Sequence, residues 1–341
     1  NILEIVPSYK NTRSLWISVK TIPDINPGVY PITITIKSEK EDIIESVTMN
    51  IEVIDACLPK QEIIVTQWFH SDCLASHYGV EVFSERYWKI VEEFVNTAVD
   101  NGINMILTPI ITPPLDTEFG RERPTVQLVD IYCDNGVYSF DYNKLDRWVK
   151  MCQKCGVEYL EMAHLFSQWG AKYTPKVVVC ENGKCYNKFG WHTLATCKEY
   201  EDFLNQFLPS LTSHLKKLGI HQNTFFHISD EPNASNKDTY QKARNLVSDH
   251  LKDFKIIDCF SDFVLYKEGL VKKPIVGIDE LQPFFDSSIP DLWTYYCCSH
   301  TVDVSNRLMS MPSSRNRVIA YQLYKYNIEG FLQWGYNFYY T

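Results

Sequence analysis

The chain has 341 residues, 45% of them hydrophobic, enough to bury one large core or a large core with a small accessory domain. Its formal net charge of -9 and the lack of a basic run argue against nucleic acid as the main partner. No apolar stretch approaches the roughly 20 residues of a membrane-spanning helix, and no basic-then-apolar segment of the signal-peptide kind opens the chain.

Residues 15–19, 30–36 and 46–54 alternate apolar and polar side chains between turn signals, the pattern of half-buried strands. Three strands are too few for a full sandwich. With Asn1 rather than Met at the start, the expectation is a partial antiparallel β-sandwich over 1–58, entered part-way, with Leu58-Pro59-Lys60 as the linker.

From 59 to 341 the pattern becomes strands alternating with amphipathic helices. Strands are predicted at 63–69, 105–109, 159–164, 224–229, 255–259, 275–278, 292–297 and 330–334. Helices with apolar residues at three- and four-residue spacing are predicted at 85–101, 142–155, 197–218 and 313–327. Eight strands in roughly 280 residues predict an α/β fold, a (β/α)8 TIM-like barrel, whose closing helix is missing from the sequence as it stands. No glycine-rich phosphate loop follows the first of these strands, which argues against a doubly wound sheet.

The eleven cysteines are odd in number and lie mostly in apolar runs, which points to reduced thiols and a cytoplasmic setting. Cys152 and Cys155 fall within a helical pattern without a second pair, so a zinc site is not expected. Asn182-Gly183 is a two-residue hairpin signal that sets Cys180 opposite Cys185, as free thiols or as a disulfide.

Asp230 and Glu231 end the apolar run 225–229 and precede Pro232. Adjacent carboxylates at a strand end suit glycoside hydrolysis in which the substrate supplies its own nucleophile: one is the general acid, the other holds a neighbouring group of the sugar. The plainer reading is a polar turn before a helix, with Ser235 and Asp238 capping a stretch that runs to Leu251. What favours chemistry is convergence at strand ends, where barrel active sites lie. Gln67, Trp68, His70 and Asp72 follow the first strand, His164 and Trp169 the third, Asp279 and Glu280 the sixth. Tyr295 and Tyr296 belong to the seventh strand, Trp334 and Asn337 to the eighth. Aromatics at 14% of residues suit a site where flat rings stack on sugar faces.

The runs Gln67-Trp68-Phe69-His70-Ser71-Asp72-Cys73, Phe189-Gly190-Trp191-His192-Thr193, Ser229-Asp230-Glu231-Pro232 and Gly330-Phe331-Leu332-Gln333-Trp334 resemble glycoside hydrolase family 123, which overlaps domain-of-unknown-function family 4091. The resemblance implies a retaining exo-β-N-acetylgalactosaminidase or N-acetylhexosaminidase that works by substrate assistance. Carried over, Asp230 orients the 2-acetamido group, whose carbonyl oxygen attacks the anomeric carbon. Glu231 protonates the leaving oxygen and then deprotonates the water that opens the oxazolinium intermediate. Trp68, His70, His164, Trp191, His192, Tyr296, Trp334 and Asn337 are the expected substrate-binding residues, with Tyr296 donating to the acetamide oxygen. Such a protein takes a glycan or glycoconjugate with a terminal N-acetylhexosamine and needs no metal or organic cofactor.

Two alternatives stay open. Many barrel glycosidases place a nucleophilic Glu after the seventh strand, about 5 Å from the acid. Here residues 292–300 and 331–340 carry no carboxylate, which leaves Asp279 and Glu280 for that role. The other alternative is a non-catalytic carbohydrate-binding relative.

Overall fold

The computed structural model describes residues 14–22 and 24–339. The chain forms two units, 1–60 and 61–341. In the first, β1 (Gly28–Lys37) and β2 (Ile43–Val53) pair antiparallel, with the Thr33 and Thr48 hydroxyls 2.9 Å apart across the ladder. Residues 15–19, expected as a strand, belong to no strand among the described residues.

The second unit contains the barrel. Its strands are β3 (Ile64–Gln67), β4 (Met105–Thr108), β7 (Tyr159–Met162), β10 (Thr224–Phe226), β11 (Lys255–Ile256), β12 (Asp258–Cys259), β13 (Pro274–Gly277), β14 (Trp293–Tyr295) and β15 (Gly330–Gln333), all paired in parallel. Between β4 and β7 lies the hairpin β5 (Asp130–Asp134) and β6 (Val137–Asp141). Between β7 and β10 lies a second hairpin, β8 (Val177–Glu181) and β9 (Lys184–Phe189). The two hairpins join in a four-stranded sheet that the strand pattern did not reveal. In β8 and β9, Cys180 faces Cys185 in register, as the Asn-Gly turn requires, and the two sulfurs are bonded.

The predicted fifth strand is divided between β11 and β12. Its first half pairs with β10 and its second with β13, and the Ile257 N–H bridges them by donating to the Phe226 carbonyl. The ring of parallel strands passes through these five residues and returns from β15 to β3.

The outer layer includes α1 (Ser71–Tyr78), α2 (Glu85–Asp100), α3 (Asn143–Cys155), α4 (Lys198–Lys217), α5 (Lys237–Val247), α6 (Phe263–Lys267), α7 (Gln282–Asp286) and α8 (Ser313–Lys325). α2 shows why: the Ser84 hydroxyl accepts from the Tyr87 N–H, and Tyr87, Trp88, Val91, Val95 and Ala98 make one buried stripe. α3 ends at Gly156, whose φ of 91° is the left-handed stop glycine adopts without strain. α5 is shorter than the stretch to Leu251 and is preceded by Asn236, while the Ser235 hydroxyl donates to Asn233.

Ile64, Trp68, Met105, Leu107, Phe225, Ile275, Trp293, Tyr295 and Leu332 fill the interior. Trp293 fits because its registered partner on β15 is Gly330, where a Cβ would come within 2.1 Å of the indole.

Candidate active site

Asp230 and Glu231 sit just beyond β10, on the barrel's C-terminal rim. Glu231 has φ 45°, a left-handed backbone that a residue with a Cβ adopts at a cost, and such strain gathers at functional positions. The segment after β7 folds over the pair. The Trp169 N–H donates to the Asp230 carbonyl at 2.7 Å, and the Asn236 amide donates to the Trp169 carbonyl at 3.2 Å. Gly170 is required there: its φ is 96°, and a Cβ would lie 2.2 Å from Asn236. Trp169, also at positive φ, leaves its indole largely in solvent.

The Tyr295 hydroxyl donates to Glu231 Oε1 at 2.7 Å. Burial, Cys259 and the neighbouring carboxylates push the phenol far above its ordinary range, so it remains a donor. Tyr296, the expected donor, lies on the other side of the pleat, its ring 5.0 Å from Phe331 and its hydroxyl under the influence of Arg307. Alternation along β14 decides this: the inward set is Trp293 and Tyr295.

Beneath the pair lies a buried polar layer. His227 Nε2 is 2.5 Å from Glu161 Oε1, and its Nδ1 is 3.3 Å from Asp258 Oδ1. Glu161 also accepts from the Thr66 hydroxyl at 2.6 Å and the Trp68 indole at 2.8 Å. Asp258 accepts from the Ile228 N–H at 2.9 Å and the Tyr240 hydroxyl at 2.5 Å, donors that suit a carboxylate. Burial opposes charge on His227, but the two carboxylates outweigh it and carry its pKa up to about 9. His227 is therefore an imidazolium at neutral pH. His164 stacks on it with ring centroids 4.1 Å apart, and burial together with the His227 charge keeps His164 neutral. Donor atoms of His164, His227 and Asp258 lie within 4.8 Å of one another, a spacing a metal ion could bridge. Both His227 nitrogens face carboxylates, so the layer reads as a hydrogen-bonded ion triad.

Asp230 holds its proton well above the usual Asp range, because of burial first and then the charges of Glu231 and Asp116, while His227 pulls the other way. Asp116, from the loop after β4, is a third carboxylate at the rim. Its side chain keeps solvent contact, yet the surrounding protein and Glu231 bring it to about 6 against the pull of Arg123. Arg123 is buried, bidentate on Asp72 at 2.7 Å to each oxygen, and donates to His70 Nδ1 at 2.9 Å. An accepting Nδ1 puts the His70 proton on Nε2, which donates to the Trp334 carbonyl at 3.1 Å. Burial and Arg123 hold His70 down at about 4.

The expected substrate-binding residues therefore divide into two groups. Trp68, His70, His164 and Asn337 are buried framework; Asn337 exchanges two hydrogen bonds with the His70 main chain. Trp334 remains near the opening, its ring 5.6 Å from Phe338, which lines a cleft of about 360 Å³ with Asp116 and Arg123. Trp191 joins exposed Phe119 and half-buried Tyr173 in an aromatic cluster, with centroids 5.7 and 6.1 Å away. His192 is exposed and bonds the Lys188 carbonyl. Asp279 pairs with His300 at 3.1 Å, and Glu280 beside it is exposed.

Comparison with known proteins follows the same lines. Residues 68–341 match the model of the glycoside hydrolase 123 catalytic domain. The fold is similar to that of a family 123 glycoside hydrolase from Clostridium perfringens studied for glycolipid glycan hydrolysis, with 15% identity and a TM-score of 0.63. The alignment covers 91% of this chain and 56% of that one, so this chain spans little more than half of that protein's length. A family 2 glycosyl hydrolase from Bacteroides cellulosilyticus (10% identity, 90% of this chain and 34% of that one, TM-score 0.41) and a family 10 xylanase from Thermobacillus composti (13%, 80% and 84%, 0.38) are too distant to bear on this chain. No curated protein matches the sequence significantly.

Proposed function

The chain belongs to glycoside hydrolase family 123, and we propose that it removes terminal β-linked N-acetylhexosamine, N-acetylgalactosamine by preference, from a glycan or glycoconjugate by retaining, substrate-assisted hydrolysis. The observation that carries the reading is the adjacency of Asp230 and Glu231 on the rim, with Tyr295 on Glu231 and no carboxylate on β14. The acetamide carbonyl oxygen attacks the anomeric carbon as Glu231 gives its proton to the leaving oxygen. Asp230, ionised, accepts from the acetamide N–H and balances the positive charge that develops. Glu231 then takes a proton from water, which opens the oxazolinium from the same face. Tyr295 takes the place expected of Tyr296, passing its hydrogen bond between Glu231 and the acetamide oxygen. The apolar walls are Trp334 and Phe338 on one side and the Phe119, Tyr173 and Trp191 cluster on the other.

The test compares aryl β-glycosides of N-acetylgalactosamine, N-acetylglucosamine and galactose. Hydrolysis confined to the acetamido sugars supports the reading, and equal turnover of the galactoside sinks it. A thiazoline fused to galactosamine, which imitates the intermediate, should inhibit at micromolar concentration or below, on the order of 8 kcal/mol of binding. Covalent capture of Asp116, Asp279 or Glu280 by a fluorinated glycoside would instead identify a separate nucleophile.

A further inference from the structure

Beyond the carboxylates, the C-terminal end of β14 carries a second set of reactive side chains. The Cys297 sulfur lies 3.3 Å from His300 Nδ1, and His300 Nε2 lies 3.1 Å from Asp279 Oδ1. The Cys297 N–H donates to the same Nδ1 at 2.9 Å, which fixes that nitrogen as an acceptor and places the ring proton on Nε2, toward Asp279. A histidine so oriented presents its basic nitrogen to the thiol, the arrangement that activates a cysteine nucleophile.

The site is built rather than incidental. The Asn306 amide donates to the carbonyls of Cys297 and His300, both at 2.8 Å, closing the loop between them. His300 and Asp279 occupy space that only a glycine at 277 leaves: a Cβ there would lie 2.9 Å from His300 Nε2 and 3.1 Å from Asp279 Oδ1. The Ser299 hydroxyl is a further partner, 2.9 Å from the sulfur. Burial raises the Cys297 pKa, but the hydrogen bonds to His300 and Ser299 outweigh it, and the thiol falls below its ordinary value. Cys297 is half-buried and open to a small reagent, and His300 beneath it is buried.

We propose that Cys297 is a nucleophilic thiol, activated by His300 and Asp279, that takes up one RS half of a low-molecular-weight disulfide, and that the adduct silences the neighbouring carboxylate pair. His300 Nδ1 takes the thiol proton as it releases the Cys297 N–H, and the thiolate attacks one sulfur of the disulfide. A new S–S bond forms as the old one breaks, and the departing thiolate recovers the proton. Cys297 is oxidised and the other half of the reagent is reduced. The route to the carboxylates is short: the His300 ring stands edge-on against the Tyr295 ring, centroids 5.3 Å apart, and the Tyr295 hydroxyl holds Glu231. An adduct on the sulfur must displace His300, and with it the surface against which Tyr295 is set. This second half rests on the proposed glycosidase reading; the first does not.

The experiment treats the intact protein with iodoacetamide at neutral pH and follows each cysteine by peptide mass mapping. Cys297 should react about tenfold faster than the exposed Cys57 and Cys298. His300→Gln should bring its rate down to theirs, and the milder Asp279→Asn should give an intermediate rate in a protein with an unchanged melting temperature. Faster labelling of Cys57 or Cys298, or a Cys297 rate indifferent to both substitutions, overturns the activated thiol. Oxidised glutathione should then add one glutathionyl group at Cys297 and abolish hydrolysis of an aryl N-acetylhexosaminide, while Cys297→Ser stays active and insensitive. Full activity in the glutathionylated protein overturns the coupling. An unmodified protein inactive on every aryl glycoside overturns the proposed function alone, since the labelling arm still decides the thiol.

Discussion

The Tyr295 hydroxyl lies 2.7 Å from Glu231 Oε1, linking the seventh barrel strand to the loop after the fourth. One phenol thus positions the carboxyl group that must give a proton in one step and take one back in the next. The adjacent Tyr296 packs outward and makes no such contact with the pair. Tyr295→Phe should lower kcat/KM about 10–100-fold, in the range of removing one hydrogen bond to a charged group, about 1.5–3 kcal/mol. Tyr296→Phe should stay within about twofold. Equal losses from the two would remove Tyr295 from its assigned place.

Division of labour between the carboxylates is read from leaving groups. Glu231→Gln should cost about 10²–10⁴ in rate with an alkyl aglycone and far less with a dinitrophenyl one, which departs without a proton. Asp230→Asn should depress both alike, because it acts on the attacking acetamide. Matching dependence on leaving-group pKa in the two variants would refute the assignment.

The acidic limb of the rate profile should sit above the ordinary Asp value of 3.8, since Asp230 must ionise to act and is held protonated by burial and by Glu231 and Asp116. Asp116→Asn removes one of those negative charges and should shift the limb to lower pH. Of the remaining groups that set it, Glu231 raises the Asp230 pKa, and His227 and the Cys259 thiol lower it. A limb that does not move on substitution would show that Asp116 lies outside the field felt by the pair.

Stability should fall as the buried imidazolium loses its proton. His227 ionises near 6.5 in the unfolded chain and near 9 in the folded one, so its contribution is complete below about pH 6.5 and is lost as pH rises toward 9. Urea midpoints measured between pH 6 and 9.5 should decline accordingly. Glu161→Gln should cost about 1–3 kcal/mol at neutral pH and flatten that slope. A slope as steep in the variant as in the parent would place the titration elsewhere.

Much of the barrel could be read from the sequence because its strands and its longer helices differ in period. Residues 85–100 repeat every three to four positions, and runs such as 274–277 are short and apolar. The carboxylate pair was legible because its placement follows from the strand before it. What escaped was whatever depends on long-range approach. Asp116 and Arg123 lie in a stretch without periodicity, and His227 stands in an apolar run where nothing announces that Glu161 and Asp258 will meet it. The expectation that Tyr296 is the donor could not be tested by pattern, because residues 292–296 are apolar but for Thr294 and do not show which face of the strand turns inward. Trp68, His70 and Asn337 share the composition of sugar-binding residues, yet their polar atoms bond Glu161, Arg123 and the main chain.

The division of the fifth strand at Ile257 leaves the barrel a seam. Everywhere else one strand serves both its neighbours; here two residues hold one side and two the other. Amide exchange should be fastest along this line, and the wall should part there first under mild denaturant. Asp258 stands in the seam and braces the Ile228 and Ser229 amides directly ahead of Asp230. Loosening along this line, beside the strand that leads into Asp230, would therefore disarm the carboxylates before the rest of the barrel had come apart.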